Sequence, residues 1–313
     1  MKVHSHQMSV YTELSSQEIA QLLTQFDLGD YKKHQGIKAG VENTNYFVTT
    51  SEHELVLTLF ETLAAERLPF YLLLCEHLNQ AGCAVPRPYR QNSGDILFSV
   101  KNKPAVLVER APGGHIDNTE PYLEQISSGL AQVHLATANF EMSQDHSHGL
   151  AWIQHNAAEL MASLPTQDQA LLNQALAMFD QLPELPSGII HADLFQDNAL
   201  FDNGKISGII DWYFAGYDSY ALDIAITLND WCLDDTGNYN RDYGDTFLTA
   251  YQHIRPLTLE EQQSIPLLQV QSATRFWLSR ILAQRAHGES DDNITVKDPE
   301  IMKALLVNLI AAV

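Results

Sequence analysis

GIIHADLFQDNALFDNGKISGIIDW, residues 188–212, is the stretch on which the reading of this 313-residue chain turns. Two short β-prone runs, 188–191 and 206–211, frame a segment that holds His191, Asp193, Asp197 and Asn198, and the second run ends on Asp211. Asp202-Asn203-Gly204 reads as a turn, preceded by a third β-prone piece at 199–203. Carboxylates are costly to strip of water, so their gathering at strand ends asks for a chemical reason.

Phosphoryl transfer to an alcohol supplies one. The spacing His191-x-Asp193-x4-Asn198 matches the catalytic-loop pattern H-R-D-x-x-x-x-N, with Ala192 at the middle position. Such a reaction needs a carboxylate beside the hydroxyl to orient it and take its proton, a role that suits Asp193. It also needs hard oxygen ligands for Mg²⁺, which neutralises the triphosphate. Asn198 offers an amide oxygen without a further full charge, and Asp211 offers the metal-bridging carboxylate. Asp211-Trp212-Tyr213 lacks the glycine of the kinase Asp-Phe-Gly segment, so this loop need not flip. His191 joins the catalytic set as the residue that orders the loop by hydrogen bonding, and Asp197 reads as part of the loop itself.

The bulk of the chain limits the alternatives. With 18 basic and 39 acidic side chains the net charge is −21, a field that repels nucleic acid and anionic membrane surfaces. It would repel a triphosphate too, unless a metal intervenes. No run approaches the roughly 18 apolar residues that span a bilayer. The opening MKVHSHQMSV has no apolar signal core, and Met8 is an alternative start that would make residues 1–7 extraneous. Cys75, Cys83 and Cys232 form no even framework and no C-x-x-C pair, which fits reduced thiols in a cytoplasmic protein.

Periodicity predicts an α+β protein of two lobes. A capped helix at 16–26 precedes β-prone pieces between Lys32 and Leu59. A long helix over 61–81, bent near Pro69, and strands at 84–89, 95–100 and 105–109 come next. Ala111-Pro112-Gly113-Gly114 punctuates the chain, and beyond it helices are expected at 120–138, 150–163, 167–181, 219–233, 241–253, 258–287 and 298–312. The expected division is an N-terminal nucleotide-binding lobe, 1–110, with an antiparallel sheet and a helix. A mostly helical C-terminal lobe, 111–313, would carry catalysis and the substrate.

HADLFQDNALF followed by ISGIIDWYFAG resembles the aminoglycoside phosphotransferase and choline kinase superfamily, whose motif runs close to H-G-D-x-x-x-x-N and then I-D-W/F. GVENTNYFV (40–48), LVLTLFE (55–61), ERLPFYLLL (66–74), LNDWC (228–232), YQHIRPL (251–257) and ATRFWLSRI (273–281) narrow the resemblance to its homoserine kinase branch, distinct from the GHMP-fold kinases. The resemblance implies a protein-kinase-like fold that moves the γ-phosphate of ATP to a small alcohol, with L-homoserine as the acceptor. Residue types alone leave choline, ethanolamine, a sugar, an aminoglycoside or another hydroxylated amino acid open, and a pseudokinase that binds nucleotide or a partner without turnover.

Against that frame, Gly36 to Asn45 is the turn expected over the phosphates, with Lys38, Gly40, Asn43, Thr44 and Asn45 as donors. The strand lysine that holds the α- and β-phosphates in kinases is replaced by Thr58, which brings no charge. Lys38 ranks first to replace it, ahead of Arg67 or a second magnesium ion. Glu66, placed on the helix, is the candidate partner acid. Glu109, Arg110 and Ala111 are the hinge positions for the adenine edge. For the substrate, Asp230 and Asn229 suit an ammonium, Arg275 and Arg280 a carboxylate, and Tyr213 a pocket wall. The sequence leaves the oligomeric state open.

Overall fold

The computed structural model describes residues 12–37, 43–287 and 297–313. Residues 1–7, Lys38 and Gly40 therefore lie outside the described residues. The contacts among the described residues fall into two compact units. One holds the residues up to Asn79 with Pro86–Ala111, and the other holds Gln80–Val85 and the described residues from Pro112 to Val313.

The first unit is built on an antiparallel sheet in the order β1-β2-β3-β5-β4. Its strands are β1 (Tyr31–Ile37), β2 (Asn43–Thr50), β3 (Glu54–Phe60), β4 (Phe98–Val100) and β5 (Lys103–Glu109). Alternation decides its faces. Tyr46 and Val48 of β2, Leu55, Leu57 and Leu59 of β3, and Ala105 and Leu107 of β5 share one buried cluster. Ile19, Leu22 and Leu23 of α1 (Ser16–Leu23) close over it. A capping box starts α1, in which Ser15 accepts from the Glu18 N–H and the Glu18 side chain accepts from the Ser15 N–H.

The predicted helix over 61–81 is shorter than its apolar pattern suggests. Glu66 and Arg67 lie in a turn, and α2 runs Leu68–Gln80. Pro69 thus occupies the first helical turn, where its missing N–H breaks no intrahelical bond. Of the expected strand at 84–89 only an isolated bridge, Pro88 to Val108, is formed. Ala84 belongs to the second unit instead, its carbonyl accepting from the Ile209 N–H at 2.6 Å.

The second unit is helical around two small antiparallel ribbons. β6 (Ser187–Ile190) pairs with β9 (Gly216–Ser219), and β7 (Ala199–Asp202) pairs with β8 (Lys205–Ile209). Asn203 and Gly204 take φ of 47° and 77°, so the β7–β8 turn is one that needs residues tolerant of positive φ. The helices are α3 (Leu123–Thr137), α4 (Leu150–Met161), α5 (Thr166–Phe179), α6 (Tyr220–Trp231), α7 (Arg241–Ile254), α8 (Leu259–His287) and α9 (Pro299–Ala312). Every residue of α6 from Tyr220 to Asn229 is buried, and α8 packs along α6 and α9. Gly113 is irreplaceable in kind, since with φ of 82° an added Cβ would fall 1.9 Å from the carbonyl oxygen of Phe201. Its neighbour Gly114 exchanges two backbone hydrogen bonds with Phe201, which ties this segment to β7.

Candidate active site

The loop after β6 carries Asp193, and several backbone groups of that loop are held by side chains from elsewhere in the second unit. The N–H groups of His191 and Ala192 each donate at 2.8 Å to Asp223, one to each carboxylate oxygen. Asp223 stands in the first turn of α6, where the helix dipole favours a negative charge. Arg275 of α8 donates to the Ala192 carbonyl at 2.5 Å. The Asp193 N–H donates to Nδ1 of His191 at 3.2 Å, and Nε2 of that ring bonds the Ile210 carbonyl at 2.9 Å. Both ring nitrogens are thus satisfied with His191 neutral, and burial lowers its pKa. Trp231 donates to the Leu194 carbonyl at 3.1 Å, and Asp230 accepts the Gln196 N–H at 2.7 Å. Ala192 itself is fully buried at φ 64°, a left-handed conformation that costs a residue with a Cβ roughly 1–2 kcal/mol.

Behind the loop lies a directed chain of hydrogen bonds. Arg255, paired with Glu261 at 2.9 Å, reaches the Tyr251 hydroxyl at 3.4 Å. That hydroxyl bonds Nδ1 of His134 at 2.6 Å, and Nε2 of His134 donates to Asp223 at 2.9 Å. Every group is used once if His134 is neutral, and burial lowers its pKa accordingly. Burial alone would push the Asp223 carboxyl up. The hydrogen bonds from His134 and from the His191 N–H outweigh it and hold the carboxyl below the usual range.

The β7–β8 ribbon brings the proposed metal ligands together. Ala199 pairs with Ile209, and the Ile210 N–H donates to the Asn198 carbonyl at 2.9 Å, so Asn198 and Asp211 leave neighbouring strand ends. The Asn198 amide nitrogen donates to the Asp193 carbonyl at 2.8 Å and to its carboxylate at 3.2 Å. Its amide oxygen is the atom left for a cation. Asp211, at φ 62°, caps a short 3₁₀ turn, Trp212–Phe214, and is exposed. The donor set suits Mg²⁺, being all hard oxygen. Among the described residues no group of three or more His, Cys, Asp or Glu forms a ready metal cage, so phosphate and water would supply the remaining ligands. A cation would also relieve the crowding of charge. The Asp193 carboxyl is pushed up to about 7, chiefly by burial, with Asp211 and Asp197 adding and Arg275 opposing.

Other expected residues are placed differently from one another. Asp230 accepts from the Gln196 N–H, and its carbonyl accepts from the Gln196 side chain at 2.8 Å, so it caps the 3₁₀ turn Gln196–Asn198. Asn229 exchanges amide hydrogen bonds of 2.8 and 3.0 Å with Gln269, inside the α6–α8 packing. Arg280 donates to the Asp298 carbonyl at 3.0 Å and feels the charges of Asp230, Asp197 and Asp193. Tyr213 follows Asp211 within the 3₁₀ turn and is partly buried, while Trp212 packs on the His191 ring at 4.5 Å. Asp197 is exposed and paired with Lys297 at 2.7 Å.

A model of the phosphotransferase enzyme family matches residues 33–257. The chain is 41% identical to a homoserine kinase of Polaromonas naphthalenivorans over 282 residues, 88% of this chain and 89% of that one. It is 40% identical to a homoserine kinase of Methylobacillus flagellatus over 309 residues, 97% of this chain and 96% of that one. The chain belongs to the homoserine kinase branch of the phosphotransferase enzyme family. Among solved structures, a spectinomycin phosphotransferase in complex with ADP and spectinomycin matches with a TM-score of 0.71 at 15% identity, over 96% of this chain and 99% of that one, a likeness of fold. The fold is that of the aminoglycoside phosphotransferases and protein kinases.

In the first unit this family member departs from the protein-kinase pattern. Asn45, Thr58 and Val106 line up across β2, β3 and β5, and Thr58 donates to Asn45 at 2.7 Å. A lysine–glutamate pair does exist nearby, between Lys103 and Glu61. Lys103 and Glu61 lie two residues beyond Ala105 and Leu59, which puts them on the face of the buried cluster, away from Thr58. Thr44 turns to that same face, donating to Glu61 at 2.6 Å, while Asn43 and Asn45 share the other. Glu109 closes β5 with its N–H bonded to the Arg87 carbonyl, and Ala111 is the last described residue of the first unit. Sequence reading missed Asp223, His134 and Lys103. The available signal for the first was an ionisable residue inside an apolar helical run, where burial demands partners.

Proposed function

We propose that the chain catalyses ATP-dependent phosphorylation of L-homoserine to O-phospho-L-homoserine, a step of threonine biosynthesis. The observation that carries this reading is the joining of a homoserine kinase kinship along the chain with an intact set of Asp193, Asn198 and Asp211 on one loop and hairpin. In this reading the first unit binds ATP, with Asn43, Asn45 and Thr58 on one face of its sheet, Lys38 and Gly40 in the stretch of chain before β2 that lies outside the described residues, and Glu109 and Ala111 at its end. The second unit binds the amino alcohol.

Asp193 orients the homoserine hydroxyl and receives its proton as the oxygen bonds to the γ-phosphorus and the bond to ADP breaks. A pKa about 7 in the ligand-free site suits a group that must take up a proton near neutrality. Asn198 and Asp211 would hold Mg²⁺, which supplies charge neutralisation of the triphosphate. His191 fixes the loop rather than moving a proton, both its nitrogens being engaged. Arg280, surrounded by the field of Asp230 and Asp197, is the cation assigned to the substrate carboxylate, with Tyr213 beside Asp211 as a wall.

The test is ADP release with Mg-ATP across L-homoserine, D-homoserine, L-serine, choline, ethanolamine and kanamycin, with Asp193→Asn as blank. A clear preference for L-homoserine is expected. Turnover confined to another alcohol would remove the substrate assignment and keep the reaction class, and nucleotide binding without any transfer would favour a pseudokinase.

A further inference from the structure

We infer that Arg275 is a latch on the catalytic loop, holding Ala192 in its left-handed conformation so that Asp193 faces its work, and that it does not bind the substrate carboxylate. This role rests on the reading of the chain as a homoserine kinase.

The peptide that joins Ala192 to Asp193 is gripped at both ends. Its carbonyl accepts from Nη1 of Arg275 at 2.5 Å, and its N–H donates to Nδ1 of His191 at 3.2 Å. The preceding peptide is pinned by Asp223 through the Ala192 N–H at 2.8 Å. Relaxing Ala192 from φ 64° toward the ordinary region would rotate the 192–193 peptide, break the Arg275 bond and swing Asp193. Strain of this kind persists only when surrounding contacts over-determine it. Arg275 is the contact that comes from a distant helix and acts on the carbonyl side.

Arg275 is built for that task and closed to another. It is 3% exposed, and its guanidinium lies 4.1 Å from the Phe276 ring centroid and 5.3 Å from that of Phe214. Its Nε is buried without a hydrogen-bond partner. A substrate carboxylate arriving from solvent cannot reach that atom in the observed arrangement. The chain keeps a buried guanidinium whose Nε is unsatisfied and whose Nη1 holds that carbonyl.

The test is a double-substitution cycle of Arg275→Met and Ala192→Gly, read as kcat and KM for homoserine with Mg-ATP and as the thermal unfolding midpoint without ligands. Glycine adopts the left-handed region freely, so it relieves the need for the latch. Arg275→Met is expected to lower kcat at least tenfold with the homoserine KM within threefold. Adding Ala192→Gly should then raise kcat at least fivefold more than it does in the wild-type background, and should raise the unfolding midpoint more there too. Should Arg275→Met fail to fold, folding of the double variant is itself the rescue, and the same cycle on Arg275→Lys, which keeps the buried charge, gives the kinetic reading. A homoserine KM raised more than tenfold with kcat kept and no coupling to Ala192→Gly overturns the inference in favour of carboxylate binding. If the wild-type chain phosphorylates no alcohol, the kinase reading fails separately, and coupling in the unfolding midpoints alone decides the latch.

Discussion

The side-chain nitrogen of Asn198 holds Asp193 at two points, its carbonyl at 2.8 Å and its carboxylate at 3.2 Å. The proposed base and the proposed metal ligand are therefore one hydrogen-bonded unit, with the amide nitrogen spent on Asp193 and the amide oxygen as the proposed ligand atom. Replacing Asp193 by Asn keeps the size of the group and removes its ability to take a proton. Turnover should fall by about 10²–10⁴-fold, while nucleotide affinity measured by calorimetry changes little. A variant keeping more than a tenth of the activity would rule out the base.

The same substitution should stabilise the ligand-free protein in a pH-dependent way. An unfolded Asp loses its proton near 3.8, whereas the folded Asp193 holds one until about 7, because burial disfavours its charge. Between those values the folded state binds more protons, so wild-type stability declines as pH rises through that window. Asp193→Asn escapes the decline. Its advantage in urea unfolding should grow from pH 4 to pH 8, by roughly 4 kcal/mol at most. An advantage independent of pH would mean that the carboxyl is not held protonated.

Asp211 is exposed at the end of the β7–β8 ribbon and, as a proposed metal ligand, would bring a full negative charge to the cation. Asp211→Asn should raise the magnesium concentration needed for half-maximal turnover about tenfold or more, the order expected for losing one charged ligand. A magnesium titration indistinguishable from wild type would remove Asp211 from the metal site.

Asp223 carries three N–H donors in a fully buried setting, from His191, Ala192 and His134. Replacing Asp223 by Asn weakens these charge-assisted bonds and leaves buried donors poorly matched, at a cost of about 1–3 kcal/mol. Its carboxyl is held below the usual range, so its stabilising contribution is present at neutral pH and is lost as pH falls through the folded pKa. The stability gap between wild type and Asp223→Asn should therefore narrow in acid. A constant gap from pH 7 downward would contradict an ionised Asp223.

Lys103 looks from its ion pair with Glu61 like the lysine that kinases place against phosphates, but it sits on the packed face of the sheet. Lys103→Met should lower the unfolding free energy by about 1–3 kcal/mol, since Glu61 loses its partner, and leave the KM for ATP within twofold. A tenfold rise in that KM would show that the pair serves the nucleotide after all. Asn45→Ala, on the other face, is expected to raise it.

Much of the fold was legible in the chain. Helix periodicity located α3 to α9 within a few residues, the Asn203-Gly204 dipeptide marked the β7–β8 turn, and the spacing of His191, Asp193, Asn198 and Asp211 indicated phosphoryl transfer. Those signals are local, because a catalytic loop and the hairpin after it must supply their groups within a few residues of one another. The apolar run before α2 misled, since periodicity cannot see that Pro69 is tolerated at a helix start as readily as it breaks a helix interior.

The sequence by itself determined the reaction class, phosphoryl transfer to a small alcohol, and named the side chains proposed to take the proton and to bind a hard cation. The tertiary structure alone decided how that chemistry is held in place. Arg275 acts on a carbonyl 83 residues away and Asp223 on an N–H 31 residues away. The groups they hold are backbone atoms, the same at every position, so nothing at the receiving end of either bond is written in the side chains. The face on which Lys103 lies was likewise settled only by strand register, because one residue of offset would have turned it to the opposite side of the sheet.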